Sequence, residues 1–133
     1  MRSASSANSV RLLLDTQILV WIPLGDRRIS NRAVDAIRFS DNSLHVSAPV
    51  AFEFADLQRR GRFPVEESLD SLAELIGFSV IDFPAEAWRV AEALPNIHRD
   101  PVDRMMIAHA ILGGFTLVTA DRTIRSYPVR SLW

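Results

Sequence analysis

Four carboxylates, Asp15, Glu53, Asp103 and Asp121, fall where short apolar runs hand over to segments with helical patterning. In an open parallel sheet the strand ends of one polarity share an edge, and ligands bind there. Acids gathered on such an edge repel one another unless a cation sits between them. Oxygen-rich acidic sites suit Mg²⁺ or Mn²⁺, which then act on phosphate esters. The placement therefore points to metal-dependent phosphodiester chemistry. Taken singly, each acid also has an ordinary reading. Asp15 and Asp121 can cap helices, Asp103 sits in a first helical turn where the helix dipole favours acids, and Glu53 can be a solvated helical residue. Four at once, each at a strand's C-terminal end or in the first turns of the next helix, are harder to explain that way.

The elements that must position these acids are readable in outline. Arg11–Asp15 is an apolar run ending in an acid, as in a buried parallel strand. A helix is predicted over Thr16–Leu24, with Pro23 and Gly25 near its end, and a second over Asn31–Phe39, capped by Ser30. Leu44–Ser47 is a second strand, and Ser47 or Ala48 starts a helix that runs to about Arg60 and stops at Gly61. Val65–Ile76 is amphipathic and predicts a helix ending at Gly77, followed by a strand over Phe78–Asp82. Pro84 is expected to open a helix through Leu94. Asp100-Pro101, an acid cap with proline at the first helical position, starts a helix to Leu112 that ends at Gly113-Gly114. Thr116–Thr119 reads as a strand, Asp121–Ser126 as a short helix and Val129–Trp133 as an edge strand. Strands alternating with helices give an α/β fold with a mainly parallel sheet of four to five strands.

The bulk properties narrow the function. A chain of 133 residues, 48% hydrophobic and 23% charged, fits one folded domain over residues 11–133, preceded by a polar, disordered tail over 1–10. A domain of this size needs neither disulfide nor metal to hold its fold, so a metal here is functional. There are no cysteines, which removes thiol catalysis and zinc knuckles and fits a reducing cytoplasm. No stretch approaches the roughly 18 apolar residues of a membrane span. A net charge of −1 argues against a simple nucleic-acid-binding module, though an enzyme can balance an acidic pocket with a local basic rim. All 15 basic residues are arginine. With no lysine, a Walker-type phosphate loop, a Schiff base and a phosphoacceptor signalling site are excluded.

The runs LLLDTQILVW, VSAPVAFEFADLQRRGRF and HRDPVDRMMIAHAILGGFTLVTADRTIRSYPV resemble those of the PIN-domain ribonucleases, and among them the VapC toxins of type II toxin–antitoxin systems. The resemblance covers Leu12 to the C-terminus and fixes order and spacing: Asp15, then Glu53 with Gly61 eight residues on, then Asp103 and Asp121 eighteen residues apart. It implies a three-layer α/β/α PIN-like domain in which Asp15, Glu53, Asp103 and Asp121 form a catalytic site for Mg²⁺ or Mn²⁺. Thr16 and Thr119 carry over as hydroxyls that position the metal, its water or a carboxylate. Asp100 has the wrong spacing to Asp121 for the core acid and is kept as a helix cap or outer group. The implied reaction is in-line attack of water on phosphorus, leaving a 5′-phosphate and a 3′-hydroxyl. Two departures stand out: Gln17 where such chains often have histidine, and Leu57 where they often have lysine. Both bear on substrate contacts, not on the acids.

Arg59, Arg60, Arg62, Arg99, Arg104 and Arg122 lie near these acids in sequence and are candidates to engage an RNA backbone, against the plain reading of surface charge. His45, His98 and His109 show no metal-ligand spacing and read as structural or surface groups, with His98 the foremost exception. Trp21, Ile22 and Leu24 beside Pro23 form an apolar cluster that composition alone assigns to the core. By resemblance, the early helices instead form a groove for a cognate VapB-like antitoxin whose C-terminal segment runs towards the acids, and the toxin is a homodimer. Two competing readings remain on the residues. An aspartyl phosphatase wants a DxD arrangement, where this chain has Asp15-Thr16-Gln17. A catalytically silent PIN-like binding module is opposed by the intact set of four acids.

Overall fold

The computed structural model describes residues 9–133. Five strands form one sheet: β1 (Arg11–Leu14), β2 (Ser43–Ser47), β3 (Phe78–Ile81), β4 (Thr116–Val118) and β5 (Ser131–Leu132). The order is β3-β2-β1-β4-β5 and every pairing is parallel. Leu12, Leu13 and Leu14 are all fully buried. Successive strand residues point to opposite faces, so the central strand is covered on both sides, as the three-layer arrangement requires.

Seven α-helices are present among the described residues: α1 (Thr16–Leu24), α2 (Asn31–Arg38), α3 (Ala48–Arg59), α4 (Leu69–Leu72), α5 (Ala87–Ala93), α6 (Pro101–Gly113) and α7 (Arg122–Arg125). The caps follow the sequence signals. Ser30 accepts from the Ala33 amide at 3.0 Å, Asp100 accepts from the Val102 and Asp103 amides, and Gly25 and Gly114 close α1 and α6 in the left-handed conformation. Ser47 differs. It precedes α3, but its hydroxyl is spent inside the core on His109 Nδ1 at 2.9 Å. Both groups are buried, so this bond satisfies two polar atoms that would otherwise be stranded.

Two predicted helices are shorter than their patterns suggest. Within Val65–Ile76 only Leu69–Leu72 is α-helical, and a π-helical turn, Ala73–Gly77, completes the segment. The Gln58 side chain explains the late start: its Nε2 donates to the carbonyls of Val65 (2.7 Å) and Glu67 (2.8 Å), and Ser68 then supplies the cap. Likewise Pro84 opens a turn, with the Ala87 amide on the Pro84 carbonyl, and α5 begins at Ala87. The tail expected over residues 1–10 lies outside the described residues except for Ser9 and Val10. Val10 is tied down, its amide donating to Asn42 Oδ1 at 2.9 Å.

β1 is the centre of the chain's path. β2 and β3 are laid down on one side of it and β4 and β5 on the other. The strand order therefore reverses between β1 and β4, and the crevice beyond their C-terminal ends is where an open α/β sheet binds ligands. The sheet and helices that carry it share one buried core, in which Ile18, Leu19, Val46, Phe54, Met106, Ile107, Leu117 and Ile124 are fully buried. Each such side chain contributes about 1.5–3 kcal/mol on burial.

Candidate active site

β1 ends at Leu14, and the next residue, Asp15, is locked by hydrogen bonds on both carboxylate oxygens. Oδ1 accepts from the Thr16 amide at 2.7 Å and Oδ2 from the Thr119 hydroxyl at 2.6 Å. Thr119 follows β4 and is fully buried, and its oxygen also accepts the Asp121 amide at 3.1 Å. One hydroxyl thus joins the ends of two adjacent strands. Thr16, in the first turn of α1, donates to Glu53 Oε1 at 2.8 Å. Glu53 is aimed by its neighbours: Phe54 is fully buried and packs on Phe63 with ring centroids 5.0 Å apart, whereas Phe52 is turned out to solvent. The two threonines singled out from the sequence therefore each hold one of the acids.

The second half of the site comes from the loop before α6. Asp100 caps that helix and Asp103 occupies its first turn. Asp121 caps α7 with Oδ1, accepting from Thr123 and Ile124, and turns Oδ2 towards His98. His98 Nε2 lies 3.0 Å from Asp103 Oδ2 and 3.3 Å from Asp121 Oδ2. The three side chains are close enough together to share one ion. The hydrogen bonds argue for a different role for the imidazole. Nδ1 accepts the Asp100 amide at 3.1 Å, so in the neutral ring the proton resides on Nε2, which then donates to the two carboxylates. His98 acts here as a bridge between acids, and Tyr127 fixes its loop by accepting the Ile97 and His98 amides.

Asp15, Glu53, Asp100, Asp103 and Asp121 line one cleft of about 620 Å³. Thr16, Gln17, Trp21, Arg28 and Leu57 complete much of its wall. Asp100 is both cap and cleft residue, which the sequence spacing had placed farther out. The electrostatics record the crowding. Burial, opposed by the bonds from Thr119 and Thr16, raises Asp15 above the ordinary carboxylate range, and Asp121 and Asp100 add to the rise. Glu53 is raised by burial, with Thr16 opposing and the charges of Asp100 and Asp15 reinforcing. Asp103 is pushed up to about 7, by burial first and then by Asp15 and Asp100, with His98 pulling the other way. A set of carboxylates that disfavour one another's charge, with oxygen donors facing a common space, fits a hard divalent cation.

The arginines divide. Arg104 is not free to bind RNA: its guanidinium donates to the carbonyls of Ala91 (2.7 Å) and Pro95 (3.1 Å), fastening the end of α5 to α6. Arg59 and Arg60 both pair with Asp56, at 3.1 and 3.3 Å, on the surface of α3. Arg62, Arg99 and Arg122 are exposed and make no ion pair among the described residues. None of these six lines the cleft; the arginine that does is Arg28, from the loop after α1. No spacing signal marks Arg28 in the sequence. His98 was within reach, since it stands two residues ahead of the Asp100 cap in the HRDPVDR run. His45 and His109 pack around Phe115, away from the acids.

The PIN-domain family model matches residues 12–129. The chain belongs to the PIN-domain family. Within that family it is 36% identical over 121 residues to Ribonuclease VapC22 of Mycobacterium tuberculosis (strain ATCC 25618 / H37Rv), an alignment covering 87% of this chain and 91% of the relative. Its PIN fold is similar to VapBC2 from Rickettsia felis, solved bound to a DNA fragment from its promoter. That match has a TM-score of 0.67 and 19% identity, and covers 92% of this chain and 97% of the other. VapBC-1 from nontypeable Haemophilus influenzae matches with a TM-score of 0.63 and 17% identity, covering 92% and 96%. This is therefore a VapC-like PIN domain, with its five carboxylates at the sheet's switch point.

Proposed function

We propose that this VapC-like chain is a metal-dependent endoribonuclease, the toxin of a type II toxin–antitoxin pair acting in the cytoplasm. The observation that carries the reading is the convergence of Asp15, Glu53, Asp103 and Asp121 on one cleft, where burial, and then the charges of Asp15 and Asp100, push Asp103 up to about 7. Those four side chains would hold Mg²⁺ or Mn²⁺. A divalent ion bound there supplies charge stabilisation at the scissile phosphate and a more acidic attacking water.

The chain's own residues do the rest. Thr119 and Thr16 fix Asp15 and Glu53 in single orientations, so little reorganisation is needed as charge builds on phosphorus. The hydrogen bonds from His98 keep Asp103 and Asp121 facing each other. The buried strand ends beneath exclude bulk water from one side of the reacting group. The expected products carry 5′-phosphate and 3′-hydroxyl ends.

A VapB-like antitoxin is the proposed partner. A groove of about 570 Å³ between α1, α2 and the π-helical turn, lined by Ile22, Ile29, Val34, Ile37, Leu75 and Ile76, offers it an apolar seat. Trp21 lines both this groove and the acidic cleft, so a segment seated in one has a short path to the other. Phe52 and Trp88, 76% and 55% exposed, support a further contact between two copies of the chain.

The test is incubation of purified, antitoxin-free chain with total RNA in Mg²⁺ or Mn²⁺, beside EDTA and Asp103→Asn controls, with sequencing of the new ends. Discrete cuts bearing 5′-phosphates, lost in both controls, are expected. Cleavage that survives EDTA would overturn the metal-dependent reading. A folded chain that binds metal and cuts nothing would point to the silent binding module.

A further inference from the structure

The cleft presents five carboxylates to a polyanion, and Arg28 is the cation among its lining residues. The arginine is held in place by two contacts. Its Nε and Nη2 grip both oxygens of Asp26 at 2.7–3.2 Å, and its guanidinium carbon sits 5.0 Å from the centre of the Trp21 ring. Nη1 makes no hydrogen bond among the described residues, which leaves the Nη1/Nη2 edge of the guanidinium open. That edge is a two-donor fork of the kind that matches phosphate oxygens. The stacked and paired arrangement also reduces the rotamer freedom lost on binding.

We propose that Arg28 is the phosphate-gripping residue of the acidic cleft, contacting the RNA backbone beside the scissile group, with Asp26 and Trp21 as its positioning partners. This rests on the ribonuclease reading above. It assigns backbone recognition to the loop after α1, and not to the arginines that follow α3. It also accounts for Asp26. An acid beside an acidic cleft is unhelpful to RNA binding unless it holds a cation in position to donate.

The competing account is that Arg28 only neutralises Asp26, so the test must separate contact from charge balance. The full-length chain is first assayed for cleavage of total RNA in Mn²⁺. If the wild type cuts nothing, the ribonuclease reading falls, and this inference with it. With a wild type that cuts, KM and kcat are measured on the RNA it cleaves across a range of salt. Arg28→Ala should raise KM about five- to tenfold with kcat changed by no more than about twofold. The slope of log(1/KM) against log salt should flatten by about 0.7, as for one lost phosphate contact on a single strand.

The deciding variant is Arg28→Ala combined with Asp26→Asn, which restores the wild-type net charge. It should stay as weak as Arg28→Ala, with the same flattened slope. Arg28→Lys should recover the salt slope and only part of the affinity. A double variant with wild-type KM would reduce Arg28 to a neutralising partner and overturn the proposal. So would an Arg28→Ala enzyme with unchanged KM and slope. Both outcomes leave the ribonuclease reading standing.

Discussion

Trp21 is a wall shared by two concavities of similar size and opposite chemistry. The cleft on one side, about 620 Å³, gathers five carboxylates, four of them oriented by other side chains: Asp15 by Thr119, Glu53 by Thr16, Asp103 and Asp121 by His98, while Asp100 caps its own helix. The groove on the other side, about 570 Å³, is walled mainly by aliphatic side chains, among which Leu75 is 69% exposed. The first has shape without charge balance; the second has area without a covering. Each is therefore incomplete in its own way, and the missing component follows from what is present. A cation relieves like-charge crowding, and an apolar segment relieves exposed aliphatic surface. The comparison teaches that changes confined to one concavity should spare the other, except at Trp21, which lines both, and at Asp26, which lines the groove and holds Arg28 of the cleft.

The largest expected effect breaks the cleft alone. Asp15→Asn and Asp103→Asn should each lower RNA cleavage by about a hundredfold or more. Binding of the antitoxin and the circular dichroism spectrum should stay unchanged. The metal-free thermal midpoint should hold or rise in Asp103→Asn, which removes a repelling charge, and fall modestly in Asp15→Asn, whose amide nitrogen cannot accept from both the Thr119 hydroxyl and the Thr16 amide. A midpoint that collapses would mean that the acids hold the fold and not a cation.

Breaking the groove alone is the complementary change. Leu75→Glu places a charge on an exposed aliphatic wall, so stability should move by no more than about 0.5 kcal/mol. Antitoxin affinity, read by calorimetry, should fall about tenfold or more, while cleavage rates stay at wild-type values. Equal loss of both activities would contradict the separation drawn here.

A subtler effect sharpens the cleft's side of the contrast. Asp103 titrates at about 7 in the metal-free native chain and at an ordinary value near 3.8 when unfolded. Between those values the native chain keeps a proton that the unfolded chain has released. The stability it contributes is therefore complete below about pH 4 and is lost as pH rises through 7. Denaturation of the metal-free chain should show that decline, and Asp103→Asn should flatten it. Saturating Mn²⁺ should oppose it, because the ion binds the carboxylate and not the acid.

The smallest effect concerns Arg104. Because it fastens α5 to α6, Arg104→Ala should reduce unfolding free energy by about 1–2 kcal/mol and leave KM for RNA unchanged. A raised KM with unaltered stability would return Arg104 to the substrate.

Much of this architecture is legible in the sequence because its signals are local. The caps at Ser30 and Asp100, the stops at Gly25 and Gly114, and the apolar strand Leu12–Leu14 all declare themselves within a few residues. Three of the four acids are visible for the same reason, since Asp15 and Asp121 follow strands directly and Glu53 lies in the helix after β2; Asp103 departs from that pattern, because α6 follows α5 and not a strand, and it is marked instead by the Asp100-Pro101 helix start. What sequence reasoning misses depends on contacts far along the chain. Gln58 delays α4 by taking the carbonyls of Val65 and Glu67, and no periodicity in Val65–Ile76 reports that. Ser47 looks like a cap and instead bonds His109, 62 residues away. Arg104 looks like a basic neighbour of Asp103, but points to the end of α5. Arg28 is far in sequence from every acid of the cleft except Asp15, and only the fold brings it to their rim.

The measurement that bears most directly on the central claim is Mn²⁺ binding to the purified, antitoxin-free chain, followed by electron paramagnetic resonance. The wild type should bind Mn²⁺, Asp15→Asn and Asp103→Asn should each weaken that binding severely, and Asp35→Asn, on the exposed face of α2, should leave it unaltered. Binding that is absent in the folded wild type, or equally strong in all three variants, would contradict the assignment of the cleft as a metal site.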